Sequence, residues 1–181
     1  MTAVCVGLSG LRPLLDGDGV ELSLLLRLQA PGEPTASELV GGWICTSVRE
    51  AVVADAVGAV VTVPFLHTAP QVTRLALGHL VRVSEEGHRF GMPVVARVAV
   101  LRPAGPGGYV AESDAHLWAQ AVESALDLGA DAVLVVGAEQ DVWPTVVRAA
   151  AGSPVLVEAG LQGLGAAAAA GAAGVVLRET F

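Results

Sequence analysis

The chain has 181 residues, 18 of them acidic and 10 basic, for a formal net charge of −8; it is 53% hydrophobic and 15% charged. That length suits one domain, residues 1–181, with a full core, and an acidic chain with scattered arginines lacks a nucleic-acid footprint. No apolar run reaches the roughly 18 residues that span a bilayer, and no basic segment leads an apolar one as in a secretory signal. A cytoplasmic protein is therefore expected, with more apolar surface than a monomer of this size needs (mean hydropathy +0.62).

Residues 2–7 form a short apolar run read as a strand, followed by a Gly-Leu-Ser-Gly loop. Asp16-Gly17-Asp18-Gly19 is a turn, residues 21–28 a second strand, and residues 30–35 a Pro/Gly loop. Residues 47–57 carry Val48, Ala51, Val52 and Ala56 at helical spacing, with Thr46 or Ser47 as N-cap. A third strand, 58–65, ends at Pro64. A longer helix, 68–86, has the stripe Val72, Leu75, Ala76, Leu80 and Val83, with Pro70 in its first turn and Gly87 as its C-cap. Residues 93–100 are a fourth strand. Residues 102–110 are a Pro/Gly loop long enough for a functional lid.

Ser113 or Asp114 caps a helix reaching Leu128. A fifth strand, 132–136, a short helix, 143–151, a sixth strand, 155–159, an Ala-rich helix, 164–170, and a last strand from 175 to 177 complete the series. Seven strands alternating with helices, with Gly58, Pro93, Gly129-Ala130, Pro154 and Gly174 before the later ones, make a parallel α/β protein. Two architectures fit: a TIM-type (β/α)8 barrel lacking one strand, or an open doubly wound parallel sheet. Gly160-Leu161-Gln162-Gly163-Leu164-Gly165 is the nearest approach to a phosphate loop, and alone it is a weak one.

Gly129-Ala130-Asp131-Ala132-Val133-Leu134-Val135-Val136-Gly137 resembles a strand of the class I aldolases of the deoxyribose-phosphate and bacterial fructose-bisphosphate type, which reads Gly-Ala-Asp-x-x-Lys. The segments 24–29 (Leu-Leu-Leu-Arg-Leu-Gln), 88–96 (His-Arg-Phe-Gly-Met-Pro-Val-Val-Ala) and 171–181 are similar, in order and spacing, to the branch holding the phospho-autoinducer thiolase and the aminodideoxyheptulosonate synthases. The resemblance implies an aldolase-type barrel whose first strand, with its Asp-His-Gly motif, is absent, so that residues 2–7 answer to the second. It places the Schiff-base lysine at Leu134, the catalytic tyrosine at Pro64, the phosphate loop at Ala159-Gly160, and the remnant of a Gly-Arg pair at Arg178. All ten basic residues are arginines. A Schiff base needs a primary amine able to lose its proton, and no side chain here supplies one.

Chemistry in such a barrel sits at the C-terminal strand ends. Glu158, in an otherwise apolar strand, is a general acid/base or a structural partner of Arg178. His67, in a strand-to-helix loop, is a general base or a helix-capping side chain. Arg178, Gly160, Arg27 and Arg97 are the substrate- or anion-binding candidates, with an internal salt bridge the alternative for Arg97. Arg102 and Glu139 also lie near strand ends. His79, His88 and His116 are expected to be solvated, and Cys5 and Cys45 to be inert thiols. No metal-ligand spacing is present and no cofactor is expected.

Two functions are weighed. One is an enzyme without Schiff-base chemistry, of lyase, isomerase or cyclase type, acting by acid/base catalysis on a small carbonyl or anionic metabolite, phosphorylated or carboxylated, in a biosynthetic setting. The other is a non-catalytic pseudo-aldolase subunit that partners another chain. A homo-oligomer is expected in either case, because the first and last strands would otherwise face a gap one strand wide.

Overall fold

The protein is described by a computed structural model covering residues 3–6, 23–28, 46–105 and 108–177. The elements run β1 (Ala3–Val6), β2 (Ser23–Arg27), α1 (Val48–Val53), β3 (Gly58–Leu66), α2 (Pro70–Phe90), β4 (Val94–Pro103), β5 (Tyr109–Ala111), α3 (Ala115–Asp127), β6 (Ala132–Val135), α4 (Trp143–Ala149), β7 (Val155–Ala159), α5 (Leu164–Ala169) and β8 (Gly174–Leu177). No helix among the described residues is long and apolar enough to cross a membrane.

Seven strands pair in parallel in the order β1-β2-β3-β4-β6-β7-β8, with β5 antiparallel on β4. A doubly wound sheet reverses its strand order at a switch point. Here the strands follow one another in chain order without reversal, as around a barrel. The sheet is thus of TIM type, one strand short of eight. The expected gap one strand wide is not what the edges form. β1 and β8 come within 8 Å of each other between Cα atoms, whereas an intervening strand would hold them about 9.6 Å apart, two inter-strand spacings. No ladder joins them among the described residues.

The alternation of side chains sorts the strands into two packed layers. Leu26, Leu28, Val61, Val63, Ala96, Val98, Val133, Val135 and Val157 join the helices in the outer core, where Val48, Leu80, Trp118, Val122 and Val146 are fully buried. Leu25, Val60, Val95 and Leu134 form a second cluster on the inner face. Small residues make room for it. A Cβ on Gly58 would lie 2.9 Å from Leu25 Cδ2, and one on Gly174 2.9 Å from Leu156 Cδ2.

Local signals set the helix ends. Ser47 caps α1, with Glu50 completing a capping box, and Asp114 caps α3 through the His116 N–H at 2.9 Å. Pro70 opens α2. Gly87 does not close it. The helix runs one further turn to Gly91, whose φ of 65° is the left-handed cap. Gly87 serves a close approach instead: a Cβ there would lie 2.6 Å from Val94 Cγ2 and 2.7 Å from the Met92 carbonyl oxygen.

The stretch expected to be a lid is largely a β-hairpin. β5 folds back on the end of β4, pairing Tyr109 with Pro103 and Ala111 with Leu101. The Glu112 N–H extends this ladder to the Val100 carbonyl at 2.9 Å, just beyond the point where the Val136 N–H reaches the Val98 carbonyl. β5 therefore occupies the rim in line with β6. Glu112 anchors the hairpin to α3: its carbonyl accepts from Trp118 Nε1 at 2.7 Å, its carboxylate from the Ser113 N–H at 2.8 Å, and Arg102 Nε lies 3.9 Å away.

Candidate functional site

The Gly-Ala-Asp stretch does structural work here. Gly129 takes φ 98°, a left-handed turn that glycine adopts without strain. Ala130 is buried behind it. The Asp131 carboxylate accepts the Val94 N–H at 2.8 Å while the Asp131 N–H donates to the Val94 carbonyl at 2.8 Å, fixing β6 against the foot of β4. Three residues on, Leu134 is 1% exposed and packs in the inner cluster with Leu25, Val60 and Val95. At the position the resemblance gives to the Schiff-base amine, the chain has an apolar floor.

A belt of polar residues shares the inner face with that apolar cluster. Arg27 lies two residues beyond Leu25, Arg97 two beyond Val95, Glu158 two beyond Leu156, and Thr62 two beyond Val60, so all four share the inner face. The register gives their heights. Arg27 is level with Val60 and Val95, and Thr62 and Arg97 stand one pleat higher, level with Leu134 and Leu156. Glu158 stands one pleat above that, nearest the C-terminal rim.

Arg97 Nη2 lies 3.8 Å from Glu158 Oε1, with side-chain exposures of 22% and 17%. Charges in an apolar barrel need such pairing, because an unpaired one carries a large desolvation cost. The internal salt bridge expected for Arg97 is present. Glu158 meets Arg97 because the inner faces of β4 and β7 converge across β6; the pairing expected between Glu158 and Arg178 lies outside the described residues.

Arg27 is half-buried, and its Nε is buried with no hydrogen-bond partner among the described residues. His67 is exposed in the turn between β3 and α2, where the Leu66 N–H is held by Thr73 Oγ1 at 2.9 Å. Among the described residues nothing joins His67 to Glu158, three strands away along the sheet. Pro64 is buried in the β3–β4 ladder opposite Ala99. Gly160 is half-buried at the end of β7, and a Cβ there would lie 2.9 Å from Gln162 Oε1. The elements after it are the 3-10 turn Leu161–Gly163 and the six-residue α5. Glu139 is exposed, and Arg102 belongs to the hairpin anchor.

Thr62 escaped the sequence reading although its signal was present: a polar residue at the same inward phase as Arg97, in an apolar strand. Burial lowers the pKa of His79, with the Arg82 charge adding to the effect. It lies on α2, away from the belt. Among the described residues no cluster of His, Cys, Asp and Glu is arranged to hold a metal ion.

Comparison with known proteins agrees with this architecture. The chain belongs to the DeoC/LacD aldolase family, whose model matches residues 1–181. A solved archaeal fructose-1,6-bisphosphate aldolase, its catalytic lysine bound to a carbinolamine intermediate, superposes with a TM-score of 0.72 at 23% identity, over 96% of this chain and 69% of its own. A Corynebacterium glutamicum protein gives 0.72 at 16% identity, over 87% and 56%. A fructose-bisphosphate aldolase from Slackia heliotrinireducens gives 0.66 at 21% identity, over 86% and 54%. At these identities the likeness is one of fold. No curated protein matches the sequence.

Proposed function

We propose that this member of the DeoC/LacD aldolase family binds a small carbonyl metabolite in the barrel mouth and moves a proton with Glu158, without forming a Schiff base. The observation that carries the reading is the Arg97–Glu158 pair on the inner face, with Arg97 level with Leu134 of the apolar cluster and Glu158 one pleat above it. A carboxylate beside a guanidinium is suited to abstracting a proton α to a carbonyl. Glu158 takes the proton, the electron pair moves into the carbonyl, and the Arg97 guanidinium stabilises the oxyanion. The proton then returns to the same or a neighbouring carbon, as in an isomerase; in a lyase, Glu158 instead takes the proton of a β-hydroxyl, the carbon–carbon bond breaks, and its electron pair moves into the carbonyl beside Arg97. His67, exposed on its turn, is a second proton carrier only if the substrate spans the mouth.

The test is solvent deuterium exchange into hydroxyacetone and dihydroxyacetone, followed by NMR. Glu158→Gln is expected to reduce exchange by about 10²–10⁴-fold, the range of general acid–base catalysis, and to lower the melting temperature, since Arg97 loses its charged partner. Exchange that survives in Glu158→Gln removes Glu158 from the mechanism. Borohydride added with either ketone is expected to leave no adduct on any side chain, since lysine is absent; a side-chain adduct overturns the non-Schiff-base reading.

A second reading, a non-catalytic subunit, is favoured by the same pair seen differently: Arg97 and Glu158 satisfy each other's charge, as structural groups do. Absence of exchange by the wild type, together with stable association with an aldolase-active chain, would support it.

A further inference from the structure

The polar belt has a charge imbalance that names the class of ligand, on the reading above that the barrel mouth is the binding site. Among the described residues, two guanidinium groups (Arg27, Arg97) and one carboxylate (Glu158) share the inner face, a sum of 2 − 1 = +1. Arg97 is engaged by Glu158. Arg27 contributes a buried Nε–H that has no acceptor among the described residues. A buried donor without a partner is costly, and native proteins seldom leave one. An acceptor supplied by a ligand removes that cost.

The strand register places Arg27 two strands from Arg97 and one pleat below it. At inter-strand and pleat spacings this puts their Cα atoms roughly 12 Å apart, so that two arginine side chains can engage opposite ends of one small molecule. We propose that Arg27 anchors the carboxylate of a small 2-oxo monocarboxylic acid, whose carbonyl then lies beneath the Arg97–Glu158 pair. The Nε–H and one Nη–H of a guanidinium form a parallel fork that matches the two oxygens of a carboxylate. Among the described residues, a monoanion brings the charge of the belt to zero, while a phosphate dianion leaves it at −1 with Glu158 as its neighbour, a repulsion poorly screened inside a barrel that favours a carboxylate over a phosphoester.

Isothermal titration calorimetry of the full chain at low salt and pH 8 tests this, with pyruvate, acetate and inorganic phosphate as probes. Pyruvate and acetate are expected to bind, and phosphate at least tenfold more weakly. Arg27→Gln is expected to weaken pyruvate binding at least tenfold, and Arg27→Lys, which keeps the charge but loses the fork, by several-fold. Glu158→Gln raises the belt to +2 and is expected to shift preference toward phosphate while pyruvate still binds. Three results overturn the proposal: phosphate binding the wild type as tightly as pyruvate, none of the probes binding, or pyruvate binding unchanged in Arg27→Lys and Arg27→Gln. If Arg27→Gln does not fold, the lysine variant decides alone. Carboxylate binding without proton exchange sinks the role of Glu158 and leaves this subsite standing. Proton exchange without carboxylate preference does the reverse.

Discussion

Two glycines on α2 make a matched pair of perturbations that tests the packing of the helical layer on the sheet. Gly78 and Gly87 both lie within the helix, and alanine at either gains about 1 kcal/mol of helix propensity. At Gly78 nothing lies within 4 Å of the added Cβ, so the gain is free and Gly78→Ala is expected to stabilise by about 0.5–1 kcal/mol. At Gly87 the added Cβ meets Val94 Cγ2 at 2.6 Å and the Met92 carbonyl oxygen at 2.7 Å. Neither can yield easily. Val94 is 1% exposed and β-branched, and the Met92 backbone is tied to the helix by its N–H on the Gly87 carbonyl at 2.9 Å. Overpacking of this kind costs about 1–3 kcal/mol, which outweighs the propensity gain and leaves Gly87→Ala destabilised by about 0.5–2 kcal/mol. At about 2–4 °C per kcal/mol for a chain of this size, the two variants should melt several degrees apart on opposite sides of the wild type. Urea midpoints at equal m-value check the ordering. Gly87→Ala at or above Gly78→Ala would refute the placement of α2 against the β4 entry, and with it the register that lifts Arg97 into the belt.

Asp131→Ala strands the Val94 N–H, which the carboxylate now holds at 2.8 Å. We expect a loss of about 1–2 kcal/mol and near-complete rescue by Asp131→Asn, read by urea denaturation. Stability should also fall as pH drops through about 6.5, the ordinary histidine value. The folded pKa of His79 is lowered by burial and by Arg82, so the unfolded chain takes up the proton first; His79→Gln should flatten that limb between pH 5 and 7.5. Glu50 is held below the usual carboxylate range, chiefly by the Thr46 hydroxyl and then by the Ser47 N–H. Its contribution is present above that range and is lost as pH falls below it, and Glu50→Gln should make the acid limb shallower. The exposed apolar side chains Val53 (81%) and Val52 (42%) on α1 and Leu75 (50%) on the adjacent α2 predict self-association. Light scattering at micromolar concentration should give about twice 18.3 kDa, and Val53→Glu should reduce it to one chain; a wild-type monomer would refute this.

The sequence by itself determined the parallel α/β rhythm. Continuous apolar runs bounded by glycine and proline are the local mark of strands buried on both faces, and each of the seven runs became a strand. It also determined the absence of a side-chain amine, since that is a matter of composition. Polar residues standing singly in those runs, Arg27, Arg97 and Glu158, were legible as inward-facing because the strand period is two. Their partners were not. That Arg97 meets Glu158 depends on how far β4 and β7 curve toward each other around β6, a long-range property that no local pattern encodes. The same holds for the antiparallel pairing of β5 on the end of β4. The Pro and Gly residues there read locally as an open loop, and the pairing of Tyr109 with Pro103 comes from the free ladder positions of β4 beyond the end of β6. Gly87 reads locally as the stop of α2, and only its close approach to Val94 and Met92 shows that it lies within the helix, which ends at Gly91. Local chemistry chose the elements and the polar phases. The barrel's curvature chose which charges meet, because the energy of a buried charge is set by neighbours distant in sequence.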